Sequence, residues 1–81
     1  MFFVYVLYSV KFNRRYVGMT NNIDRRLNEH NNGRQRSTKA FKPWIIIHSE
    51  QFETRLEARK REVYLKSGIG REWLNKNFNQ K

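Results

Sequence analysis

The chain has 81 residues, and its 17 Lys and Arg residues against 7 Asp and Glu residues give a formal net charge of +10. A chain of this length buries roughly 64% of its unfolded surface on folding, which is enough for one small domain and not for two. The absence of cysteine excludes a disulfide scaffold, a thiolate zinc site and a cysteine nucleophile, while 15% aromatic residues indicate a folded chain rather than a disordered one.

The start of the chain is predicted to form a β-hairpin. Residues 2–9 are apolar on both pleat faces, a pattern typical of a central strand that is covered on both sides. Lys11–Arg14 has the length and polarity of a hairpin loop, and Arg15–Met19 returns as the second strand. We expect Gly18 to end this strand and to let another group approach its backbone.

A short basic helix and a third strand are predicted next. Asn21 or Asn22 is expected to cap the helix, and Asn31–Gly33 to stop it. Residues 34–42 form a long polar loop, after which Pro43 opens the third strand, because proline is tolerated at the first position of a strand.

Two helices are predicted for the end of the chain. Thr54 and Glu57 match the capping box, in which a hydroxyl and a carboxylate satisfy free backbone amides, so a second helix is predicted from about Arg55–Lys66. Gly68–Gly70 is expected to terminate it, and a last short helix to begin at Arg71.

These elements predict one α/β domain of the α+β kind over residues 1–81, with a polar tail from about residue 76. The order is β-β-α-β-α-α. We expect a small three-stranded, mostly antiparallel sheet flanked by helices.

Four polar side chains are candidates for a functional site. Tyr5 and Tyr16 lie on adjacent strands of the predicted hairpin, so one face of the sheet can present two phenols close together. Arg26 and His30 are four residues apart on the predicted first helix and share one face, which suits two groups aimed at a single anion.

Glu62 is a fifth candidate, because it occupies an unusual position for an acidic side chain. On the predicted second helix it lies on the same stripe as Ala58 and Leu65, which are apolar. A carboxylate in such a place either extends to solvent or serves a cation.

The same residues fall within motifs that carry a resemblance to a known family. In chain order these motifs are Phe3-Val4-Tyr5, Tyr16-Val17-Gly18, Asp24-Arg25-Arg26-Leu27-Asn28-Glu29-His30 and Arg61-Glu62. The chain resembles the GIY-YIG nucleases, which include the N-terminal nuclease module of the bacterial excision-repair nuclease, and it is most similar to their small stand-alone bacterial members. Phe3 replaces the glycine of the first triplet.

The resemblance implies the GIY-YIG endonuclease fold and metal-dependent hydrolysis of phosphodiester bonds in DNA. It implies that Glu62 holds one Mg²⁺ or Mn²⁺ ion and that Arg26 contacts the scissile phosphate. It further implies that Tyr16 is the general base or orients the attacking water. Tyr5 would support Tyr16 by a hydrogen bond, and His30 would assist proton transfer or phosphate positioning.

Other side chains are assigned less directly. The cations expected to contact DNA are Arg25, Arg34, Arg36, Lys39 and Lys42. Four of them lie in the polar loop near Phe41 and Trp44, although a merely solvated loop explains the same pattern equally well. Asn75 or Asn77 would fill the place of an asparagine that the family often has, and His48 is expected to be structural.

Two functions from different classes remain open at this stage. The first is an endonuclease of low sequence specificity, structure-selective in repair or recombination, that acts on branched or single-stranded DNA or relies on a protein partner. The second is a catalytically silent basic module that binds DNA or RNA within a larger assembly. We expect a cytoplasmic monomer or weak dimer with no membrane partner, because no apolar run approaches the roughly 18 residues of a membrane span.

Overall fold

The computed structural model describes residues 1–78 and has the predicted element order. The strands are β1 (Phe2–Ser9), β2 (Arg14–Thr20) and β3 (Ile45–Phe52), and the helices are α1 (Ile23–Asn31), α2 (Arg55–Lys66) and α3 (Gly68–Asn77). The three strands form one antiparallel sheet in the order β2-β1-β3, which confirms both the fold class and the central position of β1. Within residues 1–78, no helix is both long and apolar enough to cross a bilayer.

Each face of β1 is buried in its own hydrophobic core, which explains why the strand is apolar on both faces. Val4 and Val6 pack in a core that α2 and α3 complete. Tyr5 and Leu7 face the opposite way and pack in a smaller core with Trp44. Each fully buried aliphatic side chain contributes about 1.5–3 kcal/mol. The smaller core contains the first of the candidate site residues.

The helix starts follow the predicted caps. Asn22, rather than Asn21, caps α1, and its side-chain oxygen accepts a hydrogen bond from the backbone amide of Arg25 at 3.0 Å. Thr54 and Glu57 form the complete capping box at the start of α2. These local bonds satisfy amides that the first turn of a helix leaves free, so both starts could be predicted from sequence.

Three predicted boundaries are wrong. Gly18 does not end β2, which continues to Thr20. The third strand starts at Ile45 rather than at Pro43. Gly68–Gly70 is the first turn of α3 rather than a terminating loop, because Ser67 ends α2 and caps α3 with its hydroxyl.

The end of the chain is helical further than predicted. α3 continues through Asn77, so the polar tail expected from about residue 76 begins inside the helix. Residues 79–81 lie outside the described residues.

Candidate active site

The two candidate phenols lie on one face of the sheet, at its β2 edge. Tyr5 pairs across the strands with Gly18, and Leu7 pairs with Tyr16, so the tyrosines are diagonal neighbours with ring centroids 6.4 Å apart. A Cβ atom on Gly18 would overlap the ring and hydroxyl of Tyr5. Glycine is therefore required because the Tyr5 ring lies across it, which is the close approach expected at this position.

The Tyr5 hydroxyl belongs to a buried chain of hydrogen bonds. It lies 2.9 Å from Nε2 of His30, whose Nδ1 lies 2.8 Å from the hydroxyl of Thr38. The Thr38 hydroxyl donates in turn to the backbone carbonyl of Gln35 at 3.4 Å. His30 is fully buried and Thr38 nearly so. The Tyr5 hydroxyl therefore forms its hydrogen bond with His30. The resemblance implied a bond to Tyr16 instead, but Tyr16 is only a diagonal neighbour of Tyr5 on the sheet.

Burial determines the protonation of this chain. Burial raises the pKa of Tyr5 to about 12, although interaction with Arg26 opposes this shift. Tyr5 therefore stays protonated, and its hydroxyl donates a hydrogen bond to His30. Burial, together with the positive charge of Arg26, also lowers the pKa of His30, which favours a neutral imidazole. Each hydroxyl or N–H in this series of hydrogen bonds donates toward the Gln35 carbonyl, starting from Tyr5. The ring proton of His30 is therefore on Nδ1, which donates to Thr38.

Tyr16 differs from Tyr5 in its exposure and in its bonding. It is half-buried, with its ring centroid 4.9 Å from that of His30 and 6.4 Å from that of Trp44. The Lys66 ammonium nitrogen lies 6.0 Å from the Tyr16 ring centroid. Within residues 1–78, the Tyr16 hydroxyl forms no hydrogen bond to protein, so this phenol is the one that can engage a substrate or water.

Arg26 is held at the entrance to this group by side chains of α1 and of the following loop. One guanidinium nitrogen donates to Glu29 at 2.9 Å and another to Gln35 at 3.2 Å. Interaction with the Tyr5 hydroxyl raises the pKa of Arg26, so its charge is permanent. The side chain is 31% exposed, so the guanidinium is within reach of an incoming anion.

Glu62 is buried in α2 beside Ala58 and Leu65, as the helical stripe predicted. Its two carboxylate oxygens accept hydrogen bonds from Arg59 at 2.8 Å and from Lys66 at 3.0 Å. Burial tends to raise the pKa of Glu62, but these two bonds outweigh it and leave the pKa below its usual range. Glu62 is therefore an ionised carboxylate with two exposed cations over its oxygens.

The structure brings four of the five candidates together directly and the fifth through a lysine. Tyr5, Tyr16, Arg26 and His30 contact one another on the face of the sheet that carries α1. Glu62 joins them through Lys66, which bonds the carboxylate and approaches the Tyr16 ring. Within residues 1–78, no three His, Cys, Asp or Glu side chains come together in a group that could hold a metal ion, so among the five candidates Glu62 is the one carboxylate that this site offers.

The cations expected to contact DNA lie on the surface, one on α1 and four in the loop before β3, and Glu29 interacts with the charges of both Arg25 and Arg34. Arg25 lies on α1 and lines a small polar cavity with Arg26 and Arg55. Arg34, Arg36, Lys39 and Lys42 are exposed in the loop before β3. Trp44, which the sequence placed beside this group, is only 3% exposed and donates its indole N–H to the Thr38 carbonyl at 3.0 Å. It is a packing residue and not a surface for stacking bases.

The two asparagines of α3 occupy different environments. Asn75 accepts a hydrogen bond from Arg15 and lines a cleft with Tyr16 and Lys66. Asn77 donates to the backbone carbonyl of Trp73 in its own helix at 2.8 Å. Of the two, Asn75 is the one that reaches the candidate site.

His48 is bonded within the sheet and has no part in this cluster. Its Nε2 lies 2.8 Å from Glu50, and its ring packs against Trp73 at a centroid distance of 5.7 Å. Arg61 in turn forms two bonds of 2.8 and 2.9 Å to Glu50. This network ties β3 to α2 and α3 and agrees with the structural assignment of His48.

Sequence reasoning missed three participants of the site. Lys66 and Arg59 were detectable, because they lie four residues after and three before Glu62 on the same helix. Thr38 was not detectable, since it reaches His30 from an irregular loop that has no periodicity to place its side chains.

The chain is similar to proteins of a nuclease domain family. The GIY-YIG catalytic domain matches residues 1–77. A UPF0213 protein of Clostridium perfringens is 39% identical over 67 residues, which cover 82% of this chain and 71% of that protein. A UPF0213 protein of Listeria welshimeri is 46% identical over 65 residues, which cover 79% of this chain and 71% of that one.

A solved structure shows the same fold. The solution NMR structure of a UPF0213 protein from Bacillus halodurans superposes with a TM-score of 0.56 and 28% sequence identity. The superposition covers 96% of this chain and 86% of that chain. The likeness extends over the whole sheet and its helices rather than over one motif.

Proposed function

The chain belongs to the GIY-YIG family of nuclease domains, and from this membership we propose that it is a divalent-metal-dependent endonuclease that hydrolyses phosphodiester bonds in DNA. The observation that carries the proposal is the contact cluster of Tyr5, Tyr16, Arg26 and His30, with the ionised Glu62 joined to it by Lys66. These features are not needed for packing alone. Tyr16 has no hydrogen bond to protein within residues 1–78, and Arg26 is partly exposed beside the neutral His30.

The two tyrosines take different roles because their surroundings differ. Tyr5 is buried and protonated, so it acts as a fixed donor that holds His30 in one tautomer. Tyr16 is the half-buried phenol, and it orients the attacking water or accepts its proton. His30 contacts both rings, and because Tyr5 and Thr38 occupy its two nitrogens it acts as a neutral imidazole that positions the Tyr16 ring for this step.

Arg26 binds the phosphate that is cut. Its present partners, Glu29 and Gln35, orient the guanidinium, and a phosphate oxygen offers stronger charge-assisted bonds than the Gln35 amide oxygen. A planar fork of donors stabilises the charge that grows on phosphorus oxygens in the transition state. This role requires arginine rather than lysine.

Glu62 is the residue that would hold a Mg²⁺ or Mn²⁺ ion. A single carboxylate suits Mg²⁺, which commonly keeps several waters and takes its remaining ligands from substrate phosphates. When bound, such an ion neutralises phosphate charge and lowers the pKa of a coordinated water. Arg59 and Lys66 are 61% and 48% exposed, so both side chains are free to leave the Glu62 oxygens.

We propose low sequence specificity for this activity. The described residues carry basic side chains on loops and helix surfaces, and such contacts to phosphate read no base sequence. Selectivity then comes from the shape of DNA, such as branches or single-stranded stretches, or from a protein partner.

The experiment is a cleavage assay on supercoiled, branched and single-stranded DNA with Mg²⁺ or Mn²⁺. Glu62→Gln and Tyr16→Phe are expected to lose cleavage, and chelation of the metal is expected to stop the wild type. Glu72→Gln and Tyr64→Phe are matched controls on exposed side chains outside the cluster, and both should cleave normally. Cleavage that survives in Glu62→Gln would overturn the assignment of the site.

A silent nucleic-acid-binding module is the second candidate, and one observation favours it. Both oxygens of Glu62 are occupied by Arg59 and Lys66, so the carboxylate already has a structural role. This candidate predicts salt-sensitive binding without cleavage of any of the three substrates, and binding that is unchanged in Glu62→Gln and Tyr16→Phe.

A further inference from the structure

A basic cleft that Tyr16 and Lys66 line extends beyond the residues of the proposed cleavage mechanism. It has a volume of about 350 Å³ and lies between β2, the end of α2 and α3. Three cations line it, Arg15, Lys66 and Arg71, together with Asn75, and no carboxylate belongs to its lining. We call it the β2 cleft. Because Tyr16 is part of its lining, the β2 cleft adjoins the candidate site.

Arg15 is held ready to bind a ligand in this cleft. Its Nη2 donates to the side-chain oxygen of Asn75, which is 60 positions away in sequence and fixes the plane of the guanidinium. Its Nη1 is buried and has no hydrogen-bond partner within residues 1–78. A buried donor left unsatisfied costs roughly 1–3 kcal/mol, and more when it is charged.

The other two cations give the cleft its net charge and its link to the active site. Lys66 bonds to Glu62 at 3.0 Å and also approaches the ring of Tyr16, so it lies between the carboxylate and the cleft. Arg71, at the start of α3, forms no ion pair with any carboxylate in the part of the chain that is described. Arg15 and Arg71 are therefore both positive charges without a protein counterion.

We propose that the β2 cleft binds one phosphate group of a nucleic-acid strand, the phosphate that neighbours the one being cut. The inference rests on the proposed function, because it takes the strand to lie across Tyr16. Phosphate is the ligand class that fits, because the forked donors of Arg15 and Arg71 match its oxygens and no carboxylate lines the cleft. The neighbouring phosphate then fixes the strand, so that the scissile phosphate faces Arg26.

The first test measures binding with metal chelated, so that no cleavage interferes. Fluorescence anisotropy of a labelled single strand is recorded as a function of salt for the wild type and for Arg71→Gln. Loss of one phosphate contact reduces the slope of log affinity against log salt concentration by about 0.7 for a single strand. Relative to 1 M salt, this makes the affinity at 0.1 M salt about fivefold weaker than that of the wild type. Lys60→Gln, which removes an exposed charge outside the cleft, should leave the slope closer to that of the wild type.

The second test locates the phosphate on the strand. A series of branched oligonucleotides, in which the branch point fixes the register of the strand, carries one neutral methylphosphonate linkage that is moved by one position at a time from the branch. The wild type should lose affinity at one position beside the scissile linkage, and Arg71→Gln should show no further loss at that position. A loss that is equal at all positions, or the same loss in Arg71→Gln, would overturn the inference.

Asn75→Asp separates binding from folding. A carboxylate at this position still accepts the bond from Arg15 and keeps the fold, but it places a negative charge where phosphate would lie. We expect unchanged or higher resistance to urea together with weaker oligonucleotide binding than in Arg71→Gln. Unchanged binding in Asn75→Asp would show that Arg15 and Asn75 form only a structural pair.

Free phosphate is the alternative source of the same chemistry. If inorganic phosphate shifts the Asn75 side-chain amide signal in NMR spectra and the methylphosphonate series is flat, the cleft binds free anions and the inference is wrong. The outcome is also distinct from that of the cleavage assay. A position-dependent loss without cleavage supports the cleft and overturns the nuclease, whereas cleavage with a flat series does the reverse.

Discussion

Removal of the Tyr5 hydroxyl is the most direct perturbation of the candidate site, because it tests the buried chain that orients His30. Tyr5→Phe keeps the ring that lies across Gly18 and deletes only the oxygen that bonds to Nε2 of His30 at 2.9 Å. His30 has no exposed surface, so water cannot replace the lost partner without a local rearrangement. The imidazole is then left with one bond, to Thr38.

The expected cost follows from that lost partner. A buried polar group without a partner costs about 1–3 kcal/mol, against a total stability of roughly 4–12 kcal/mol for a domain of this size. Each 1 kcal/mol lowers the melting temperature by roughly 4–8 °C in a small domain. Tyr5→Phe should therefore lower it by roughly 4–24 °C, with a matching decrease in the free energy of unfolding.

The assay is urea unfolding, followed by the fluorescence of Trp44 and Trp73, which report on the two cores separately. Tyr64→Phe removes an exposed hydroxyl and serves as the control. A loss no larger than the roughly 0.5 kcal/mol that exposed sites give would show that the Tyr5 hydroxyl has no committed partner. The reasoning on the His30 tautomer would then fail with it.

Three further outcomes are expected. The pKa of Tyr5 is raised from 10.0 to about 12, so the folded protein keeps a proton that the unfolded chain loses in this range. The free energy of unfolding should therefore fall between pH 10 and pH 12. The same dependence on pH in Tyr5→Phe would contradict this. Because the pKa of His30 is lowered from 6.5, the unfolded chain binds the extra proton, so the free energy of unfolding should fall as the pH drops below about 6.5, and His30→Gln should lack this decrease. Gly18→Ala should cost roughly 1–3 kcal/mol in urea unfolding, and less in a Tyr5→Leu background, which lacks the ring carbons and the hydroxyl that the Cβ would overlap; equal costs in both backgrounds would rule out this contact.

The fold was predictable because its signals are local. A run that is apolar on both pleat faces marks β1, and a cap and a capping box mark the starts of α1 and α2. The start of α3 was misjudged because glycines commonly end helices, whereas here Ser67 caps a new helix. Gly70 has no side chain because a Cβ atom would overlap the carbonyl of Tyr64.

The candidate site was only partly predictable. The five residues named by the resemblance fall close together, but their hydrogen bonds depend on tertiary contacts. Arg15 and Asn75 are 60 positions apart, and Thr38 lies in a loop, so no periodic pattern relates these side chains to the tyrosines. Sequence spacing alone cannot give such contacts, because they depend on how separate elements pack.

The two cores on opposite faces of β1 differ in what they contain, because only the smaller one includes the candidate site tyrosines. Tyr5 and Tyr16 belong to the smaller core, so changes that tune the chemistry there also change the packing of that face. Val4 and Val6 belong to the other core, which contains neither phenol. An engineer who wants a more robust protein would therefore begin in this second core, at positions other than Ala58 and Leu65, which flank Glu62 on α2.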